Sequence, residues 1–321
     1  MNFHERGEFS PIATEEDIVA CFRLLLGRYP QMMEWPGHSR LAGEPLAEVV
    51  RSYLAASEFC ARGLLAPSET SEKRWVSFGD FWLYIDPTDI AVGGPIAISG
   101  AHEPNVTAEF RKRVKPGMNV LDIGGNIGYF SMLSAALVGP TGRVWAVEPN
   151  PANVAMLSAS AKRNEFEARI TVIESAASDK WAPLLLYTSG STGSVRPVSS
   201  LDEVARKSVM GIPLDAVIGD ERVDVVKIDI EGAEGIALRG LLKTLRRCRP
   251  IIFSEFCAEA MPGLAGMRPE EYLAMLIDLG YRLLVLEDSG PVACGISISA
   301  VMDLYRKNRT DHVDILCERA D

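Results

Sequence analysis

Two short segments of the chain combine residue types that could hold a nucleotide-like ligand. Residues 122–128 read D-I-G-G-N-I-G and begin at the end of the apolar run Val120–Ile123, and Glu148 follows a second apolar run, Val144–Val147. Glycines let a backbone approach a ligand closely, but this spacing fails the dinucleotide pattern G-x-G-x-x-G in both registers. A carboxylate such as Asp122 suits a cationic group better than a pyrophosphate, and Glu148 could accept both hydroxyls of a ribose. Together these features predict a site for an adenosyl ligand.

A third segment gathers charged residues at the end of another apolar run. We predict a strand over Val223–Ile230, and because side chains alternate along a strand, Lys227, Asp229 and Glu231 would project to one side. These carboxylates could favour a positive charge on the ligand or orient an acceptor group. A structural role is also open, since Lys227 could simply pair with Asp229. Glu231 and Glu234 could stabilise the start of a following helix by ~0.3–1 kcal/mol each.

General base chemistry has several candidate residues near these segments. The candidates are His102, Glu103, Asp229, Glu231 and Glu255. A free histidine side chain has a pKa of about 6.5, so His102 could accept a proton near neutrality, although a lone loop histidine is often plain surface. Oxygen ligands from Asp229, Glu231 and Glu255 could also hold a divalent cation. Their spacing does not require one, and we predict no metal site.

The elements that would position these residues alternate between strand and helix from about residue 120 onward. Strands are predicted at Val120–Ile123, Val144–Val147, Ile170–Ile173, Val223–Ile230, Ile251–Phe256 and Tyr281–Leu286. Helices are predicted at Ile127–Leu137, Asn153–Arg163, Ala233–Leu245 and Glu270–Leu279. This alternation favours an α/β fold with a doubly wound, mostly parallel sheet. Ligands bind such sheets at the carboxyl ends of the strands, near the point where the strand order reverses.

The residues before this α/β region predict a separate small unit. Apolar residues recur every three to four positions in Ile18–Arg28 and Leu46–Phe59, which indicates two amphipathic helices. A polar linker over 67–73 places the domain boundary near residue 72, with a helical domain over 1–72 and an α/β domain over 73–321. Arg74–Ile85 alternates around Gly79 and Asp80, which favours a hairpin. The segment Thr188–Val209 is expected to be either a lid over the acceptor or an irregular surface loop.

Composition limits the partners and the compartment. The chain has 321 residues, with 33 Lys and Arg against 43 Asp and Glu, for a net charge of −10. That charge disfavours nucleic acid and anionic membranes. No apolar run approaches the ~20 residues of a membrane span, and the first residues do not resemble a signal peptide, so a cytoplasmic location is expected. The six cysteines are scattered and are expected to be reduced thiols, and the four histidines lack metal-site spacing.

Taken in order, the motifs resemble those of the FkbM family of methyltransferases. The similarity rests on D-I-G-G-N-I-G, then E-P-N-P at 148–151, then K-I-D-I-E-G-A-E at 227–234 and R-P-I-I-F-S-E at 249–255. It covers roughly residues 75–290. Two departures are visible: Gly125 stands where the family commonly has Ala, and His102 precedes Glu103-Pro104 where the family often has Tyr. The resemblance implies a class I, Rossmann-like fold that binds S-adenosyl-L-methionine.

The resemblance also implies roles for individual residues. The expected cofactor-binding residues are Glu103, Asp122, Gly124, Gly125, Asn126, Gly128, Glu148, Asn150, Ser175, Ala176 and Asp229. The expected catalytic residues, which rest on the strand alternation and side-chain chemistry given above, are Asp229, Glu231, Lys227 and His102. Tyr129 and Phe130 directly follow the glycine loop and could pack on the cofactor or fill the core between helix and sheet, and we expect the core.

The reaction that the resemblance implies is O-methylation of a hydroxyl on a sugar, glycan or natural product. N-methylation of a small molecule and a non-catalytic cofactor-binding scaffold remain alternatives. A nucleic-acid methyltransferase is disfavoured by the charge and by the absence of an N-P-P-Y or D-P-P-Y tetrapeptide. The first helices resemble, loosely, a small module found beside bacterial glycan-modifying enzymes. That similarity implies a protein partner or self-association, whereas the alternative is an extension that only caps the catalytic domain.

Overall fold

The computed structural model describes residues 12–54, 72–197, 208–308 and 311–319. Contacts between Cα atoms divide the chain into two compact units, residues 1–71 and residues 72–321. Each unit has its own apolar core. They are therefore described separately.

The first unit is helical over its described residues. Helix α1 (Glu15–Cys21) begins with a capping box in which Thr14 Oγ1 accepts the Asp17 N–H and the Asp17 carboxylate accepts the Thr14 N–H. It continues as a π-helical turn, Phe22–Leu26. Helices α2 (Trp35–His38) and α3 (Leu46–Leu54) follow. The two predicted helices are confirmed over these spans, α2 was not predicted, and residues 55–59 of the second prediction lie outside the described residues.

The second unit is built on an eight-stranded sheet. Its strands are β3 (Asn119–Ile123), β4 (Arg143–Val147), β5 (Ile170–Ile173), β10 (Val225–Ile228), β11 (Ile251–Phe256), β12 (Tyr281–Glu287), β13 (Gly290–Gly295) and β14 (Val313–Arg319). The order is β13-β12-β14-β11-β10-β3-β4-β5. The strands from β11 to β5 are parallel, while β12, β13 and β14 form an antiparallel edge. The predicted α/β fold with a mostly parallel sheet is confirmed.

Helices cover both faces of this sheet. They are α4 (Gly93–Ser99), α5 (Pro104–Arg113), α6 (Tyr129–Val138), α7 (Pro151–Arg163), α8 (Leu214–Ile218), α9 (Glu234–Arg239), α10 (Leu242–Cys248), α11 (Met261–Leu264), α12 (Pro269–Asp278) and α13 (Ile298–Asn308). Two large apolar clusters form the core, and the central strands contribute Val and Ile side chains to both. Such near-continuous apolar strands are typical of a sheet that is buried on both faces.

The strand order places a switch point between β3 and β10. The chain runs from β3 outward to β4 and β5, and later returns to β10 on the other side of β3. The carboxyl ends of β3 and β10 therefore open toward the crevice where ligands bind in such sheets.

Two predicted elements differ from the structure. The predicted strand over Val223–Ile230 is shorter, because β10 ends at Ile228 and Glu231 lies in a left-handed turn with φ 58°. The predicted helix Ala233–Leu245 is two helices, α9 and α10, separated at Gly240. A Cβ at Gly240 would lie 1.9 Å from the Ser178 carbonyl oxygen, so the backbone passes too close there for any other residue.

A second sheet was not predicted. Its strands are β6 (Ala176–Ser178), β7 (Ala182–Ser189), β8 (Thr192–Pro197) and β9 (Ser208–Pro213), in the order β6-β9-β7-β8. Residues 188–197, expected in a lid or irregular loop, instead belong to the antiparallel hairpin β7–β8; residues 198–207 lie outside the described residues. The predicted hairpin over Arg74–Ile85 is confirmed as β1 (Arg74–Ser77) and β2 (Trp82–Ile85).

The described chain contains free thiols and helices of moderate length. The cysteines there, Cys21, Cys248, Cys257, Cys294 and Cys317, are free thiols, as expected, and Cys60 lies outside the described residues. Within the same residues, no helix is long and apolar enough to cross a membrane.

Candidate active site

The glycine loop after β3 is hydrogen-bonded to the end of β4 and packs closely against the end of β10. Gly124 and Gly125 both donate their N–H groups to the Val147 carbonyl, at 2.9 and 3.0 Å. Gly124 has φ 85°, and a Cβ at this position would lie 1.9 Å from the Asp229 carbonyl oxygen. The position therefore requires glycine on two grounds, backbone conformation and space. The backbone of this loop lines the pocket that is described below.

Asp122 is a buried carboxylate at the end of β3. Asp122 is 2% exposed, and its Oδ2 atom accepts a hydrogen bond from the Ser131 hydroxyl at 2.5 Å. Burial raises the pKa of Asp122 to about 6, against the opposing effects of Ser131 and Lys227. Lys227 occupies the position directly opposite on β10. A cationic group in the pocket would favour the ionised form of Asp122.

Glu148 follows β4 and is held by backbone donors. Oε2 accepts the Asn126 N–H at 2.9 Å, and Oε1 accepts the Asn150 N–H at 2.8 Å and the Asn153 side-chain amide at 3.3 Å. Burial raises the pKa of Glu148 to about 7 in spite of these donors. Asn150 also caps α7 by accepting the Ala152 N–H. The two carboxylate oxygens are thus fixed in orientation and retain lone pairs for further donors.

Lys227 is a buried cation at the centre of an acidic cluster. Its Nζ atom lies 2.9 Å from Asp229 Oδ2, 3.4 Å from Glu103 Oε2 and 4.9 Å from the centre of the Phe130 ring. Burial opposes its charge, but Asp229 and Glu103 raise the pKa of Lys227 well above its ordinary value. Lys227 therefore remains protonated and compensates the carboxylates around it.

His102 and Glu103 form the wall of the pocket next to Lys227. His102 Nε2 lies 3.2 Å from Glu103 Oε1, and the His102 ring packs edge-on against Tyr129, 4.9 Å between centroids. Burial opposes ionisation of Glu103, but Lys227 and His102 lower its pKa. The His102 side chain is 20% exposed, so it belongs to the pocket wall and not to the open surface.

Glu231 and Glu255 extend the acidic cluster toward the sheet edge. Cys257 Sγ donates to Glu255 Oε2 at 3.3 Å, and His312 Nδ1 lies 3.4 Å from Glu255 Oε1. Burial and the neighbouring Asp229 raise the pKa values of both Glu231 and Glu255. Over the described chain, the side chains close enough to share an ion are Glu231, Glu255 and Cys257, with Cys257 in place of the Asp229 considered above. Burial also raises the pKa of Cys257, which disfavours the thiolate that would bind a metal.

Three non-glycine residues at this site have positive φ angles. They are Glu103 (39°), Asn126 (47°) and Glu231 (58°), and they are three of the five such residues in the described chain. Each such conformation costs on the order of 1–3 kcal/mol and persists only where the surroundings enforce it. This concentration of backbone strain at one pocket is typical of a functional site.

A single pocket collects nearly all of the predicted site residues. Its lining includes Glu103, Asp122, Gly124, Gly125, Asn126, Glu148, Asn150, Ser175, Ala176 and Asp229 from the predicted cofactor set, and Lys227, Glu231 and His102 from the predicted catalytic set. Gly128 does not line it. Gly128 has φ 100°, and a Cβ there would lie 2.9 Å from Leu157 Cγ, so it serves the contact between α6 and α7.

The pocket also contains residues that the sequence did not identify. Ala91 and Val92 lie on one side, and the β7–β8 hairpin contributes a second wall through Leu186, Ser191 and Val195. Tyr129 and Phe130 are buried, with 4% and 6% of their surface exposed, as expected for core residues. They line the pocket as well. The hairpin carries no recognisable motif, and its pairing is what brings it to the site.

Fold and site together define a class I methyltransferase domain: a glycine loop after the first strand of the parallel sheet, a carboxylate after the second, and a charged strand end at the switch point. A sequence profile of the Methyltransferase FkbM domain matches residues 122–283, half of the chain. The chain belongs to this family, as the motifs predicted.

Other comparisons give shorter or weaker similarities. A segment of the chain is 37% identical over 73 residues to protein-L-isoaspartate O-methyltransferase 1 of Arabidopsis thaliana, covering 22% of this chain and 31% of that protein. Another is 45% identical over 56 residues to protein-L-isoaspartate O-methyltransferase of Methanothrix thermoacetophila, covering 17% and 25%. The chain thus spans less than a third of these curated relatives.

Solved structures with similar folds include other methyltransferases. A methyltransferase FkbM from Methylobacillus flagellatus KT has a TM-score of 0.41 and 16% identity, covering 94% of this chain and 58% of that one. Fibrillarin from Aeropyrum pernix, solved with S-adenosyl-L-methionine, has a TM-score of 0.41 and 14% identity, covering 79% and 86%.

Proposed function

We propose that the chain transfers a methyl group from S-adenosyl-L-methionine to a hydroxyl oxygen of a small-molecule acceptor, a sugar unit or a natural-product alcohol. The observation that supports this most is that Asp122, Glu148 and Asp229 line one pocket at the switch point of the sheet. Three carboxylates at adjacent strand ends suit a ligand that carries a ribose and positive charge. The family to which the chain belongs supports the reaction class.

The residues present fit this cofactor. Asp122, with its pKa raised by burial, would face the ammonium of the methionine part, and Glu148 would accept the ribose hydroxyls. Ser175 and Ala176 would border the adenine. The close approach of Gly124 to Asp229 leaves backbone and not side chain facing the ligand. When bound, the cofactor supplies a methyl group on a cationic sulfur.

The protein contributes position and proton transfer. Methyl transfer is an in-line displacement, and holding the acceptor oxygen in line at near-attack distance supplies much of the acceleration. The Asp229 carboxylate favours positive charge at this end of the pocket. His102 accepts the proton that the acceptor hydroxyl releases, and Glu103 stabilises the resulting imidazolium across the 3.2 Å contact.

A small-molecule amine is the second candidate acceptor. Glu231 and Glu255 line the same pocket, and carboxylates favour a cationic group beside them. The raised pKa of Glu255 weakens this alternative, because a protonated Glu255 donates a hydrogen bond to an oxygen but does not pair with a cation. N-methylation is therefore tested in the same assay as O-methylation.

The experiment has two stages. Calorimetric titration with S-adenosylhomocysteine first establishes binding, with and without chelator and added magnesium. Radiolabelled S-adenosyl-L-methionine is then incubated with panels of sugars, glycosides, alcohols and amines, and the product is identified by mass. Asp229→Asn, with exposed Asp303→Asn as the matched control, should reduce turnover by about tenfold or more while changing the dissociation constant far less.

Each outcome separates the candidate functions. Transfer to a hydroxyl supports the proposal, and transfer to amines alone replaces it with N-methylation. Binding without transfer over all panels supports a non-catalytic scaffold. Folded protein that does not bind S-adenosylhomocysteine contradicts the cofactor assignment itself.

The first unit is proposed to have an accessory role, as a contact for a protein partner or a second copy of the chain. Met32 and Met33 are 91% and 96% exposed on its surface, and Leu24 is 72% exposed. Light scattering of the full chain over a range of concentrations tests self-association. A constant monomer mass over this range would contradict self-association.

A further inference from the structure

The turn of the β7–β8 hairpin lies at the adenosyl end of the pocket. Ser191, Thr192 and Gly193 line the pocket beside Glu148 and Asn150. Ser191 is 7% exposed, although it sits in the turn of a hairpin, where residues are usually open to solvent. Contacts with other parts of the second unit therefore bury this turn.

Asp89 holds the turn from one side. Its Oδ1 atom accepts the Ser191 N–H at 3.0 Å, and its Oδ2 atom accepts the N–H groups of Val92 and Gly93 at 3.1 and 2.9 Å. Burial opposes its ionisation, but these donors lower the pKa of Asp89. One carboxylate thus ties the hairpin to the start of α4, and Val92 also lines the pocket.

Asn153 holds the same residue from the other side. Its side-chain amide donates to the Ser191 carbonyl at 2.7 Å and to Glu148 Oε1 at 3.3 Å. Asn153 is 4% exposed, so both bonds are shielded from water. The turn is therefore connected directly to the carboxylate proposed to bind the ribose.

Gly190 allows the close approach that these bonds need. It has φ 62°, and a Cβ there would lie 2.4 Å from Asp89 Oδ1. Any side chain at this position would displace the Asp89 carboxylate or the turn. The hydrogen bond between Ser191 and Asp89 joins residues 102 positions apart in the chain and lies outside the motifs that identify the family.

We propose that Asp89 and Asn153 clamp the β7–β8 turn as a wall over the adenosyl part of the cofactor, and that this clamp sets how tightly the cofactor is retained. Both are positioning residues, since they act through Ser191 and Glu148. The inference rests on the proposed function, because it concerns the same pocket. It predicts that loosening the turn weakens binding of adenosine as well as of S-adenosylhomocysteine.

The test compares Asp89→Asn with Asp80→Asn, the same chemical change at an exposed residue of the β1–β2 turn that pairs with Arg111. Titration calorimetry with S-adenosylhomocysteine and with adenosine gives both the dissociation constant and the stoichiometry. We expect Asp89→Asn to raise both dissociation constants by about tenfold with unchanged stoichiometry, and Asp80→Asn to change neither. Gly190→Ala, which keeps the Asp89 and Glu148 side chains but crowds the Asp89 carboxylate against the turn, should weaken binding in the same way.

The outcomes distinguish this inference from the function on which it rests. Wild-type protein that does not bind S-adenosylhomocysteine contradicts the proposed function. Wild-type binding that Asp89→Asn and Gly190→Ala leave unaltered overturns the clamp alone. A lower stoichiometry with the same dissociation constant in both variants also overturns it, because the contacts would then serve only folding.

Discussion

Lys227 Nζ lies 2.9 Å from Asp229 Oδ2, at the carboxyl end of β10 and beside the pocket. The Lys227 side chain is 2% exposed, whereas that of Asp229 is 29% exposed. The pair thus joins a fully buried cation to a carboxylate that faces the pocket. An uncompensated charge at this depth would cost several kcal/mol, so the cation and its acidic neighbours depend on each other.

Replacing Lys227 by Met should destabilise the second unit by about 3 kcal/mol, because it leaves two partly buried carboxylates without their counter-ion. The loss should be larger at pH 8 than at pH 5, because without Lys227 the effect of burial raises the pKa of Glu103, and its protonation at low pH relieves the buried charge. Denaturant unfolding at both pH values measures it. Lys112→Met is the control, because Lys112 pairs with Glu109 at a 66% exposed site. Equal stability of Lys227→Met and wild type would show that the cluster does not need its cation.

The parts of the site that the sequence predicted are those encoded locally. Asp122 lies at the end of one short apolar run, and Glu148 directly follows the next. Both could therefore be placed at strand ends from periodicity alone. Parallel pairing of β3 with β10 then brings Lys227 opposite Asp122. Alternation along the strand predicted Lys227, Asp229 and Glu231 together, and the family resemblance supplied Glu103, Asn150, Ser175 and Ala176.

The parts that the sequence missed depend on distant pairings or on backbone strain. Nothing near Ser191 indicates that it contacts Asp89, because that contact requires the second sheet to form first. The strand assignment of Glu231 was wrong for a local reason: period-2 alternation continues through Ile230, but the strand ends at Ile228 and a left-handed turn follows. Alternation reports which face a residue prefers and does not report where the hydrogen bonds of a strand stop.

Gly124→Ala and Gly125→Ala should differ sharply although they are adjacent. A Cβ at Gly124 would lie 1.9 Å from the Asp229 carbonyl oxygen, in a backbone with φ 85°. A Cβ at Gly125 would lie 3.3 Å from Leu157 Cδ1, the end of a side chain that can shift slightly. Calorimetry with S-adenosylhomocysteine, alongside thermal unfolding, should show lost binding for the first variant and near-normal binding for the second. Comparable binding by both variants would mean that the loop does not hold the cofactor as proposed.

Glu148 predicts how cofactor binding depends on pH. With its pKa raised to about 7 by burial, Glu148 is mostly protonated at pH 6 and mostly ionised at pH 8. The ionised form accepts both ribose hydroxyls, so affinity for S-adenosylhomocysteine should rise about tenfold between these pH values. Binding at pH 7 should release protons, measurable by calorimetry in buffers of different ionisation enthalpy. Glu148→Gln should bind more weakly and lose most of this pH dependence; if it keeps the dependence, another group is responsible.

Glu234 should make the stability of the protein depend on pH through the turn that carries Asp229 and Glu231. Its Oε1 atom accepts the N–H groups of Ile230 and Gly232 at 3.2 and 2.9 Å, while Oε2 is buried with no hydrogen-bond partner among the described residues. Burial raises the pKa of Glu234 from 4.5 to about 7. The folded state thus holds this proton more tightly than the unfolded state.

A raised pKa in an acid means that its contribution to stability is complete below pH 4.5 and is lost as the pH rises through about 7. Glu234→Gln keeps the accepting oxygen but cannot ionise, so its free energy of unfolding should fall less over this interval. The gap between variant and wild type should grow by up to about 3 kcal/mol from pH 4.5 to pH 8, at roughly 1.4 kcal/mol per unit of pKa. Denaturant unfolding across this range measures the gap. A gap that stays constant with pH would show that Glu234 does not titrate in this interval.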